Sequence, residues 1–302
     1  MPNKIALQLS SDKLQQNYTF WISHFKYNAG DSLLQSKEAI FSNLPTTHTW
    51  GNRRILDAKT GNESYVYEEI LFNERNIQSN EQLKDRYGPA FKGTMGRNAL
   101  EAGLEHFVFA YLGTHQPYYA RAAYPAFGAF FKKDEHAGVF PRLNATRRDL
   151  DSPEVNINQQ PLENHFILPE HARQLAAIET TLDPRHNNDH MHYLGGHQYW
   201  NEVDFVAKNW EWKVEFHYRD DVQLNMLDAI LWPEEDNPLV STAGYSALNK
   251  LDSDANKFKA LNSGCSIIKY KPSRHKAAFD FVRASTNVLE YYIEHNCYPH
   301  HV

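Results

Sequence analysis

Cysteine is nearly absent: Cys265 and Cys297 are the only two in 302 residues. Two thiols cannot build a disulfide framework, and they fit a reducing, cytoplasmic setting. No apolar run approaches the roughly 18 residues that a membrane helix needs, so no membrane association is expected. Met1 to Ser10 carries neither a basic n-region nor an apolar h-region, so no secretory signal is read there. Basic charge is not in excess. The chain has 31 Lys+Arg against 37 Asp+Glu, a net charge of −6, which argues against general nucleic-acid binding. Gly-x-Gly-x-x-Gly, Walker A, Gly-x-Ser-x-Gly and Glu-x-x-His segments do not occur. Their absence removes the sequence signatures of dinucleotide binding, P-loop chemistry, the nucleophile elbow and the ferritin-like di-iron centre.

Apolar and aromatic residues are plentiful. At 41% hydrophobic and 13% aromatic, the chain can bury a core and is not expected to be disordered. Helical spacing is read from Tyr65 to Asn73 and from Asn98 to Leu112, where Leu100, Leu104, Phe107, Val108 and Tyr111 share one helical face. Asn98 with Glu101 three residues on suggests an N-cap. The aromatic and Ala-rich run from Tyr118 to Phe131 suits a tight packing surface. A polar stretch from Phe140 to Leu162 is read as a surface connection and a boundary between two halves. Pro169 to Leu182 is a helix, with Pro at the first helical position and Asp183-Pro184 as the stop.

Beyond Asn187 the period shifts towards 2. From Glu211 to Arg219, Trp212, Val214, Phe216 and Tyr218 alternate with polar residues, the pattern of a strand with one apolar face. Leu224 to Trp232, Cys265 to Tyr270, Ala277 to Val282 and Thr286 to Ile293 are read as further strands. The expectation is an α+β chain. Residues 1–162 form a mainly helical support and 163–302 a β-rich catalytic region, packed as one unit.

Sixteen histidines are the compositional oddity. His217 lies on the alternating strand. His275 comes fifty-eight residues later, and Arg283-Ala284-Ser285 begins eight residues after that. This order resembles the iron(II)/2-oxoglutarate-dependent oxygenases over about the last third of the chain. The resemblance implies a C-terminal double-stranded β-helix (jelly roll). It implies Fe(II) held by His217 and His275, and 2-oxoglutarate held by Arg283 and Ser285. Two imidazoles and a carboxylate leave open positions on Fe(II), and a guanidinium grips a carboxylate with two hydrogen bonds. The family's first motif has an acid two residues after the first His. Here that position is Arg219, so Asp220 completes the triad only if a bulge re-aims it. Two alternatives stay open: a two-His site with another ligand, and the fold without its iron.

A second cluster packs His186, His190, His192 and His197 into twelve residues. It supports a metal-dependent oxidase or lyase that needs no keto acid. A third reading is a non-enzymatic β-barrel binding protein. In the enzymatic readings the substrate is a small molecule or a peptide. Cys265 is read as core, Glu101 and Glu105 as an exposed helix face, and His295, His300 and His301 as a frayed tail.

Overall fold

The computed structural model describes residues 9–23, 25, 29–51, 54–56, 61–87, 97–113, 125–132, 143–146, 160–182, 214–218, 222–234, 250–272 and 277–302. In chain order these form helices α1 (Ser11–Ser23) and α2 (Ser32–Asn43) and strands β1 (Thr46–Gly51), β2 (Arg54–Leu56) and β3 (Glu63–Tyr65). A helical turn α3 (Val66–Glu68) continues as π-helix over Glu69–Asn73. Next come β4 (Asn76–Ile77), α4 (Asn80–Tyr87), α5 (Arg97–Ala102), β5 (Val108–Leu112), β6 (Pro125–Phe131) and β7 (Leu143–Thr146). A 3-10 turn at Leu162–His165 precedes β8 (Phe166–Ile167) and α6 (Pro169–Leu182). The chain then runs through β9 (Glu215–Tyr218), β10 (Val222–Gln223), β11 (Leu227–Pro233), α7 (Leu251–Leu261), β12 (Ser266–Tyr270) and α8 (Ala277–His295).

Eight strands form one sheet in the order β12-β11-β6-β1-β5-β9-β7-β8. Only the β11–β12 pair is parallel, with α7 in the crossover between the two strands; every other described pairing in the sheet is antiparallel. A parallel pair needs such a crossover because no hairpin can join strands running the same way. Among the described residues the sheet is open, with β12 and β8 at its edges, and a closed barrel is not seen. The β12 edge does not stay bare: Lys269 N–H donates to His300 O at 3.0 Å, and Val302 N–H donates to Lys269 O at 3.2 Å. The expected frayed tail is therefore hydrogen-bonded along the sheet edge, which blunts it against other chains. Among the described residues, no helix is long and apolar enough to cross a membrane.

The sheet redistributes the two expected halves. Residues before 162, read as mainly helical, supply β1, β5, β6 and β7, half of its strands. The expected helix from Asn98 to Leu112 is cut at Gly103, whose φ of +78° is the left-handed conformation that closes a helix C-terminus. The chain beyond it is β5, and Leu100 is left 54% exposed. Within the polar stretch read as connection, residues 143–146 form β7. The largest correction lies at the C-terminus, where the strands expected over Ala277–Val282 and Thr286–Ile293 are one helix, α8. Phe281, Ser285, Val288 and Leu289 are buried along it, at i, i+4, i+7 and i+8, a helical stripe that the β-branched content concealed. The helix read over 169–182 is present, that read over 65–73 begins at Val66, the strand read over 224–232 begins at Leu227 after a 3-10 turn at Leu224–Met226, and the strand read over 265–270 begins at Ser266.

Both sheet faces are covered. On one face α2 and α6 are clasped by Arg173, whose buried guanidinium donates from Nη1 to Phe41 O (2.7 Å) and Leu44 O (2.6 Å), at the C-terminal end of α2. It also lies 5.5 Å over the Phe216 ring. Those carbonyls would otherwise be orphan acceptors at a buried helix end. Burial lowers the guanidinium pKa only to about 10, so it stays charged. Tyr67, Phe127, Trp232 and Phe258 stack beside them on the same side.

Three polar residues of central β1 are hydrogen-bonded to its neighbours, while the Thr49 hydroxyl is buried with no partner among the described residues. Thr46 Oγ1 and the Tyr218 hydroxyl share a hydrogen bond at 2.9 Å, and Thr47 Oγ1 donates to Tyr111 O at 3.3 Å. The half-buried His48 bonds through Nδ1 to Phe109 O at 2.6 Å. A carbonyl can only accept, so Nδ1 carries the proton. Burial pushes the His48 pKa down to about 4, against the smaller opposing effect of that hydrogen bond. Because the folded pKa is depressed, the unfolded chain takes up the proton first as pH falls. Stability is therefore lost between about pH 6.5 and pH 4, by about 2 kcal/mol after allowance for partial exposure. Urea midpoints of wild type and His48→Gln at pH 7 and pH 4.5 test this. The wild type should lose more stability than the variant, and parallel losses would sink the assignment.

Candidate functional site

Strand β9 is buried on both faces along its whole length. Phe216 and Tyr218 face the α6 side, where Arg173 lies over the Phe216 ring and Tyr218 packs edge-on against Phe131 at 5.1 Å. Alternation sends Glu215 and His217 to the other face. The two side chains are 4% and 0% exposed, and Glu215 Oε2 stands 3.5 Å from His217 Nε2. The Tyr111 hydroxyl on neighbouring β5 donates to Glu215 Oε1 at 3.4 Å, from the position directly opposite Glu215 in the ladder. Phe109 and Phe166 wall the imidazole with ring centroids at 5.2 and 5.9 Å.

This is a carboxylate, an imidazole and a phenol enclosed together on a rigid sheet. Shifting one proton between Glu215 and His217 interconverts a neutral pair and an ion pair with no change in net charge. In a site of low polarity that choice responds strongly to any charge that arrives nearby. The donor atoms have a second use. Two ligands bonded at about 2.1 Å to one tetrahedral ion lie roughly 3.4 Å apart, close to the separation found here. The phenol on the far carboxylate oxygen then fixes the carboxylate's orientation, as outer-shell partners of metal ligands do.

The structure places the sequence-derived candidates unevenly. His217 is in the cluster. Asp220, His275 and the alternative set His186, His190, His192 and His197 lie outside the described residues. Arg283 and Ser285 fall on α8, not on a strand. Arg283 is exposed and Ser285 is fully buried, because residues two apart on a helix point about 200° from each other. The two side chains therefore diverge on α8 and do not converge on one carboxylate as the resemblance implied.

Cys265 is core as read, its thiol pushed up to about 12 by burial, and so it is no nucleophile at neutral pH. Glu101 is exposed and pairs with Arg97 at 2.8 Å, while Glu105 is half-buried. Among the described residues no three His, Cys, Asp or Glu side chains gather as a metal cluster. No protein-family model matches the chain, and no curated protein matches it.

Glu215 and Tyr111 are the residues that sequence reasoning missed. The family motif places its acid two residues after the histidine. Residues two apart on a strand share a face in either direction, and Glu215-Phe216-His217 is the same pair written backwards.

Removing one member of a buried pair takes a charge partner from the other, at a cost of up to about 3 kcal/mol. Glu215→Leu and His217→Leu should each destabilise by about that amount, and the double variant by 1–3 kcal/mol less than their sum, roughly the coupling of contacting groups. A double-mutant cycle in urea decides it; strict additivity would show that the two groups do not interact.

Proposed function

We propose that the chain is a metal-dependent enzyme of the non-haem type, with Glu215 and His217 as two of the metal ligands. The observation that supports this reading is the buried carboxylate–imidazole pair at the separation of neighbouring ligands of one ion. Mixed oxygen and nitrogen donors suit Fe(II), Mn(II) or Zn(II), and Fe(II) is the ion the oxygenase resemblance implies. In this reading the acid of the triad is Glu215, and Asp220 is not needed.

The roles follow from what each side chain touches. Glu215 and His217 would hold the ion from one strand, so their spacing is set by backbone geometry and not by loop motion. Tyr111 would keep the second carboxylate oxygen occupied and fix the plane of the carboxylate. Phe109 and Phe166 would exclude water from the imidazole. A bound ferrous ion would supply oxygen activation. No step is assigned to 2-oxoglutarate, because Arg283 and Ser285 diverge on α8 and do not fit it. A metal-dependent oxidase or lyase is the reading that these residues support.

The test is an anaerobic titration of the metal-stripped protein with Fe(II), followed by metal analysis after desalting. One ion per chain is expected. Glu215→Gln and His217→Asn should each weaken binding at least tenfold, about 1.4 kcal/mol, while keeping the wild-type circular dichroism spectrum. Absence of stoichiometric binding, or binding unaltered in both variants, would overturn the metal reading and leave an acid–base or structural pair. A visible charge-transfer band on adding 2-oxoglutarate would restore the keto acid to the scheme.

A further inference from the structure

A separate cavity of about 550 Å³ opens at one end of the sheet. Its walls come from four places: the chain following the π-helical turn, the β10 strand and the 3-10 turn after it, the end of β6, and the turn between α7 and β12. It shares no residue with the Glu215–His217 cluster. We propose that this cavity binds a small polar molecule bearing an oxyanion, a carboxylate or a phosphate, with Arg75 as the anion-holding residue.

Three observations converge. First, Arg75 lines the cavity and is exposed, and its guanidinium has no hydrogen bond or ion pair among the described residues. A fixed fork of five donors that no described protein group engages is suited to a planar or tetrahedral oxyanion. Second, Arg75 has φ +57°, a left-handed backbone that a non-glycine residue adopts at a cost. It follows directly on the π-helical segment Glu69–Asn73 and Glu74. Strained backbone and π-bulges concentrate where a side chain must be aimed. Third, the other walls set polar groups beside Leu224, Leu227 and Leu261 and carry a second cation. Lys132, Gln223, Asn225, Asn262 and Ser263 line the space, and the Lys132 ammonium donates to Asn225 O. Among the described lining residues Glu74 is the one acid, against two cations. The volume lies within the range of small-molecule sites, and amide and hydroxyl groups around a cation suit a hydroxylated anion better than an apolar ligand.

Two substitutions probe the cavity without endangering the fold. Arg75→Gly removes the guanidinium and places at φ +57° the residue that prefers it, so its melting temperature should equal or exceed the wild type's. Gly264→Trp fills the space, since a Cβ there meets no atom within 4 Å. Isothermal titration of the full chain with inorganic phosphate, and separately with malate, measures the effect. The expected result is saturable binding of at least one anion, tighter than about 1 mM, and weaker as salt is raised. Both variants should lose about tenfold or more in affinity. Phosphate alone would assign a phosphorylated ligand, and malate alone a carboxylic acid. Failure of both anions to saturate below about 10 mM, or wild-type affinity in Arg75→Gly, would overturn the proposal. Neither result bears on iron binding at Glu215 and His217.

Discussion

A central strand covered on both faces must find partners for the polar groups it carries, and β1 carries four in a row: Thr46, Thr47, His48 and Thr49, of which the first three are satisfied while the buried Thr49 Oγ1 has no partner among the described residues. An unmade hydrogen bond in such a place costs far more than a made one gains. The neighbours are chosen accordingly. Tyr218 on β9 reaches across β5 to the Thr46 hydroxyl, Thr47 turns to the Tyr111 carbonyl, and His48 fixes its tautomer on the Phe109 carbonyl. Two of these three partners sit on β5 and the third on β9, the strands that carry Tyr111 and the Glu215–His217 pair. These bonds pin β1 to β5 and to β9, the strands that present the cluster on the face opposite Tyr218, so the geometry of the cluster is set by the sheet.

The same logic governs the helical side. Arg173 is charged and buried where an aliphatic residue would pack more cheaply. It is retained because α2 ends inside the protein and its last carbonyls, Phe41 and Leu44 among them, need donors. By meeting them from α6 while lying over Phe216, one side chain ties two helices to the strand that carries the candidate site. Helix α1 does the equivalent at the nearby β8 edge of the sheet. Asn17 donates to the Glu163 and Phe166 carbonyls and Trp21 to Asn164 O, which holds the 3-10 turn that leads into β8. Phe166, a wall of the His217 pocket, is positioned through that contact.

The parts of this fold legible in the sequence are those where period and punctuation agree. Pro169 at the first helical position, the Ala172 and Leu175 stripe and the Asp183-Pro184 stop all describe α6. Reading failed where composition and period disagreed. Val282, Thr286, Val288 and Ile293 suggested strands by type, yet their spacing with Phe281, Ser285 and Leu289 is helical, and tertiary packing follows spacing. Gly103 defeated the reading in the opposite way. A stripe running through it looked continuous, but one left-handed residue ends α5 and lets the chain leave as β5.

At the candidate site, the sequence yielded His217 and withheld its partner for a geometric reason. A family pattern has a direction along the chain, whereas a strand face has none. The requirement of the chemistry is that an acid and an imidazole project from one face about 6–7 Å apart along the backbone, and Glu215-Phe216-His217 meets it as well as the reverse order does. What the sequence could not supply is the third dimension. Tyr111 lies 104 residues from Glu215, and only the β5–β9 register brings its hydroxyl to the carboxylate. The apolar walls Phe109 and Phe166 are likewise remote in sequence and adjacent in the sheet. An isolated Glu-x-His on an exposed strand would be a solvated pair. The same two residues enclosed by β5, β8 and their aromatic rings stand 3.5 Å apart out of water, and that enclosure gives the pair its chemical interest.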